Sequence, residues 1–228
     1  LMNLAEVARY ELKEWLGFSE DSAWGRGRIE NYWRTIRAPF PGVLTPWSAV
    51  FVAALADAAN NGALARTASH IGYVRAALKA KLENKPGFWA FDPSTTSPEV
   101  GDIVVRSRGT TRTTWADIAP GVGGFRESHG DIVVGRSARS IQAIGGNAGS
   151  AENPQGVKER TYPLDENGHL VGDRWMAVLK LSATDEDRTP VEGAGLGPSV
   201  PLSSQSSAEV RSGLEHIRDV VNRLLLTL

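Results

Sequence analysis

Thr45-Pro-Trp-Ser-Ala-Val-Phe-Val-Ala-Ala-Leu-Ala-Asp57 decides the fold, because it is apolar almost all round. A helix without a polar face belongs in the middle of a domain, covered on every side. Thr45 can cap it, Pro46 suits a first helical position, and Asn61-Gly62 ends it. The segment therefore predicts a central helix around which the remaining elements must pack.

Upstream, Leu4, Val7, Ala8, Leu12 and Trp15 recur at helical spacing, and Gly17 stands where such a helix stops. A second helix is expected over Ile29 to Ile36, before Ala38-Pro-Phe-Pro-Gly42 breaks regular structure. Downstream, a further helix is expected from Ser69 to Leu82. Beyond Pro86 the text changes to short β-branched runs set off by Gly, Pro, Ser and Asn: Gly101-Asp-Ile-Val-Val-Arg106, Gly130-Asp-Ile-Val-Val-Gly135, Ser140-Ile-Gln-Ala-Ile144 and Arg174-Trp-Met-Ala-Val-Leu-Lys-Leu181. Helices first and strands afterwards indicate the α+β class, with amino-terminal helices packed on an antiparallel sheet.

Residues 1–183 are read as one domain and 184–206, rich in Pro, Gly, Ser and acidic residues, as a linker. A carboxy-terminal amphipathic helix is expected over 207–228. Ser206 and Glu209 have capping-box spacing, and Val210, Leu214, Ile217, Val221, Leu224 and Leu225 form one apolar stripe. That stripe docks on the domain, on a second copy of the chain, or on a partner.

Lys and Arg, 25 in all, nearly cancel the 26 Asp and Glu. No overall field recruits nucleic acid, and no apolar run is long enough to span a bilayer. Arg106, Arg108 and Arg112 form a local basic run, read either as a solvated loop or as a place for phosphate or an acidic glycan. With no cysteine, thiol chemistry and disulfides are excluded for this sequence. The four histidines are scattered, so neither a metal nor another cofactor is expected. The amino terminus lacks the basic-then-apolar pattern of a signal peptide.

Three residues nevertheless make a constellation. Ser48 falls in the first turn of the apolar helix, where unpaired backbone amides and the helix dipole stabilise negative charge. Most first-turn serines only cap, and a serine nucleophile needs a base to take its proton. His129 precedes one strand and Asn147 follows the next. If Ser137-Ala138-Arg139 is the loop between them, Arg136 faces Ser140 and the same register sets His129 opposite Asn147. An Asn carbonyl can hold one imidazole nitrogen and leave the other free as a base. Asp131, on the same strand face as His129, competes for that orienting role.

The ordered series Thr45-Pro-Trp-Ser-Ala-Val-Phe-Val52, Ser69-His-Ile-Gly-Tyr73, Pro98-Glu-Val-Gly-Asp-Ile-Val104, Ser128-His-Gly-Asp-Ile-Val-Val134 and Ile144-Gly-Gly-Asn147 resembles the papain-like NlpC-type and CHAP-type amidases and peptidases of bacterial cell walls. The resemblance covers roughly residues 33 to 181. It implies a papain-like fold with Ser48 where the superfamily places its catalytic cysteine, His129 as base and Asn147 as orienter. It further implies a peptidoglycan or peptide substrate and a periplasmic or secreted location. Trp47, His70, Tyr73 and Asp131 are then expected along the substrate groove. Serine in place of cysteine leaves three readings open: a serine nucleophile, a module that binds wall fragments without cutting them, or a substitution that traps substrate. A structural protein assembling through the carboxy-terminal helix is the remaining alternative.

Overall fold

The computed structural model describes residues 2–60, 62–110, 112–118, 127–148 and 156–182. The linker and carboxy-terminal helix expected over 184–228 lie outside them. Four α-helices come first: α1 (Leu4–Glu14), α2 (Ala23–Thr35), α3 (Ser48–Asn60) and α4 (His70–Leu82). Six strands follow: β1 (Phe88–Phe91), β2 (Ile103–Ser107), β3 (Ser128–Arg136), β4 (Ser140–Gly146), β5 (Val157–Pro163) and β6 (Trp175–Leu181). They form one sheet in the order β1-β6-β2-β3-β4-β5, with every pair antiparallel. This is the expected α+β architecture. Among the described residues no helix is long and apolar enough to cross a membrane.

Helix α3 is the buried centre that its sequence demands, its residues Ala49 to Ala56 all inaccessible or nearly so. It begins at Ser48 rather than Pro46, so Thr45 lies outside the helix and Ser48 is its first residue. The other helices carry local caps: Asn3 forms a capping box with Glu6 on α1, Ser22 caps α2, and Ser69 caps α4. Helix α2 starts several residues before Ile29, with Gly25 and Gly27 inside its first turns.

The helices cover one face of the sheet, where Ile103, Val105, Ile132, Val134, Ile144 and Leu179 join the main core. The opposite face has its own core of Val104, Val133, Ile141, Ala143 and Val178, closed by Leu164, Leu170 and Trp175. Burial on both sides explains why Ile103-Val-Val and Ile132-Val-Val do not alternate with polar residues.

A polar network fixes the helices at the end where α3 begins. Arg28 Nε donates to Glu11 Oε2 at 3.1 Å, and the Tyr32 hydroxyl donates to the same carboxylate at 2.5 Å. Trp15 Nε1 donates to Tyr32 Oη at 2.9 Å, and the Trp15 ring stacks on Trp47 with centroids 5.4 Å apart. Trp47 in turn donates to Glu20 at 3.1 Å. The residue preceding Ser48 is thereby held by contacts from α1, α2 and the segment between them.

Two identical pentapeptides, Gly101-Asp-Ile-Val-Val and Gly130-Asp-Ile-Val-Val, lie side by side with Ile103 opposite Ile132. Their aspartates do different work. Asp102 accepts from the Glu99 backbone at 2.7 Å and pairs with Lys180 at 2.5 Å, closing the turn into β2. Asp131 points at histidine.

Candidate active site

Ser48, the first residue of α3, has its hydroxyl oxygen 2.8 Å from Nε2 of His70, the first residue of α4. The other ring nitrogen, Nδ1, is hydrogen-bonded to the Tyr73 hydroxyl one helical turn on. Gly130 makes this fit possible: a Cβ there would collide with Tyr73 Oη and lie 2.9 Å from His70 Nδ1. The two helix-borne side chains thus rest directly on the backbone of β3.

A second chain of hydrogen bonds starts on β3. His129 Nε2 lies 3.0 Å from Asp131 Oδ1, and the Tyr162 hydroxyl donates to Asp131 Oδ2 at 2.7 Å. Arg160 on β5 brings Nη1 to 3.9 Å from Asp131 Oδ1, while its Nη2 donates to the Ala148 carbonyl at 2.9 Å. Gly145 leaves the room: a side chain there would strike Asp131 and His129. The rings of His70 and His129 are 5.9 Å apart, so the two chains meet at the histidines.

The electrostatics differ between them. Burial pushes His70 well below the ordinary histidine range, helped by His129 and Arg108 and opposed by Asp131. Burial, then the Asp131 charge, raise the Tyr73 phenol. Ser48, His70 and Tyr73 are therefore all neutral near pH 7. Burial also works against ionisation of Asp131, but His129, Tyr162 and Arg160 prevail and hold its carboxyl at about 2. A carboxylate only accepts hydrogen bonds, so His129 presents Nε2–H to it. The His129 Nδ1 is buried with no hydrogen-bond partner among the described residues.

The expected constellation is rearranged in three respects. Ser48 is bonded to His70, which the sequence reading assigned to the substrate groove. The hydrogen-bond partner of the His129 ring is Asp131, with Arg160 Nη1 3.4 Å from the same nitrogen, and not Asn147. The hairpin explains why: Arg136 pairs with Ile141, and a bulge at Val134 restores the expected register at Val133↔Ala143 and Ile132↔Ile144. Strand β4 nevertheless ends at Gly146, and Asn147 turns away with φ of 50°. Trp47 and Tyr73 are fully buried. Trp47 is a packing residue against Trp15, Tyr32 and Phe51, and Tyr73 is a partner of His70, so neither lines a groove in this structure.

Arg160 and Tyr162 were missed because β5 was missed. Lys158, Arg160 and Tyr162 alternate with Glu159 and Thr161, a period of two that marks a strand without marking a core. Arg106, read as part of a basic loop, is inside β2, whereas Arg112 pairs with Asp173 at 3.1 Å. Among the described residues no three acidic or histidine side chains converge as a metal-holding group.

The chain belongs to a bacterial family, described as "Uncharacterized protein conserved in bacteria (DUF2272)", whose model matches residues 15–191. Both hydrogen-bond chains fall within that span. No curated protein and no solved structure matches the chain.

Proposed function

We propose that this member of the DUF2272 family is an amide-bond hydrolase with a papain-like arrangement, acting on peptidoglycan or a related peptide through Ser48. The observation that carries the reading is the 2.8 Å contact between the Ser48 hydroxyl and His70 Nε2 at the start of a buried helix. The order of the sequence motifs, similar to that of NlpC-type and CHAP-type enzymes, supports the substrate class.

In the reactive tautomer His70 carries its proton on Nδ1, donates it to Tyr73 Oη, and accepts the Ser48 proton on Nε2. The Ser48 oxygen attacks the amide carbonyl as that proton moves to the imidazole. First-turn amides of α3 stabilise the resulting oxyanion. The imidazolium returns the proton to the leaving nitrogen, the C–N bond breaks, and the amine departs. Water then attacks the acyl-serine, and its proton passes through the same imidazole to the serine oxygen. Asp131, across the His129 ring, supplies the negative charge that favours His70 when protonated.

His129 is the competing base, with the stronger orienter and an unengaged Nδ1. Purified sacculi separate these roles. Ser48→Ala is expected to abolish release of new amine or carboxyl ends. His70→Ala is expected to do the same, and His129→Ala to leave a slower enzyme; full activity in Ser48→Ala with folding intact would remove the proposal.

One observation favours a second reading. Ser48 is only 4% exposed, as suits a polar cluster in a module that binds wall fragments without cleaving them. Such a module would bind them equally well after Ser48→Ala and release no ends from either form.

A further inference from the structure

Two guanidinium groups gather beside His129, and a third arginine follows close behind one of them in the chain. Arg106 is the strand partner of His129 across β2 and β3, and Arg108 lies two residues further along that chain. Arg106 places its Cζ 5.8 Å from the centre of the Tyr162 ring. Arg160 reaches in from β5, with Nη1 3.4 Å from His129 Nε2. Burial, then Arg106 and Arg160, lower the Arg108 pKa.

One carboxylate, Asp131, lies 3.9 Å from Arg160, and its two oxygens already engage His129 and Tyr162. Arg106 Nε is buried with no hydrogen-bond partner among the described residues. Packing like charges together and leaving a buried donor open both cost stability unless an anion completes the arrangement. Guanidinium forks suit a carboxylate, which they bind through two parallel hydrogen bonds.

We infer that Arg106, Arg108 and Arg160 form a subsite for a ligand carboxylate, making the preferred ligand an acidic peptide. That the acidic peptide is also a substrate rests on the hydrolase reading; the anion preference does not.

Calorimetry with two probes tests it: N-acetyl-alanyl-glutamate amide and its glutamine counterpart, titrated into the full chain carrying Ser48→Ala so that nothing is turned over. The glutamate probe is expected to bind at least about tenfold more tightly, and less so as salt rises. Arg108→Gln should erase most of that preference, and Arg108→Lys should keep part of it, with unchanged thermal unfolding showing that both variants fold. Equal binding of the two probes, binding of neither, or a preference untouched by Arg108→Gln would overturn the subsite. A glutamate preference in a wild-type chain that cleaves nothing would count against the hydrolase and leave the subsite standing.

Discussion

The hydroxyl oxygen of Ser48 and Nε2 of His70 lie 2.8 Å apart, although 22 residues separate them in the chain. Each is the first residue of its helix, and Gly130 lets the histidine settle against β3. This relationship replaces the serine-to-strand-histidine pairing that motif order alone suggests, and the predictions below test its consequences.

Acid should affect rate and stability in different windows. A base must be neutral to accept a proton, and burial holds His70 below its ordinary range. The acid limb of kcat/KM is therefore expected below about pH 6.5. The unfolded chain protonates His70 more readily than the folded one, so stability falls as pH drops below about 6.5. The Asp131 contribution has the same sign in a lower window: its folded pKa of about 2 lies below the usual 3.8, so it is complete above 3.8 and lost as pH falls toward 2. Urea unfolding from pH 7 to 5 should show a smaller stability loss in His70→Asn than in the wild type.

Asp131→Asn removes the carboxylate beside Arg160 and can reverse the hydrogen bond to His129. Losing the buried carboxylate that faces this half-buried cation is expected to cost about 1–3 kcal/mol, read by urea unfolding at pH 7. Tyr162→Phe, which deletes only the 2.7 Å hydrogen bond to Asp131, should cost about 1 kcal/mol.

Gly130→Ala places a methyl group where Tyr73 Oη and His70 Nδ1 now sit. Overpacking of this kind is expected to cost about 1–3 kcal/mol. Activity should fall further than that loss explains, because His70 must move away from Ser48. Comparing kcat at a temperature where both proteins are fully folded separates the two effects.

Glu11→Ala leaves Arg28 and the Tyr32 hydroxyl without their shared partner in the buried network behind Trp47. A loss of about 3–5 kcal/mol is expected. Glu11→Gln, which can still accept from Tyr32, should lose less, and thermal unfolding of the two variants orders them.

The sequence makes some of this arrangement readable and hides the rest for physical reasons. Helix α3 and strands β2, β3, β4 and β6 are legible because their apolar runs are long or β-branched. Helix α4 is legible from Ser69, which caps it as expected. Strand β5 hides because it is an edge strand with no apolar run, alternating half-buried Lys158, Arg160 and Tyr162 with exposed Glu159, Thr161 and Pro163, and with it went Arg160 and Tyr162. Gly145 and Gly146 read as a turn but are strand residues kept small, one beneath Asp131 and His129, the other against Phe51 and Trp47. Ser48, His129 and Asp131 could be picked out one by one. The pairing of Ser48 with His70 could not, since it depends on how the starts of two helices meet over a strand and leaves no spacing in the text.

Reaction with a fluorophosphonate, followed by intact-mass and peptide analysis, measures most directly whether Ser48 is an activated nucleophile. A single adduct on the peptide containing Ser48 is expected in the wild type, lost in Ser48→Ala and strongly slowed in His70→Ala. An unmodified Ser48 in a chain that still releases ends from sacculi, or labelling just as fast without the His70 imidazole, would contradict the account.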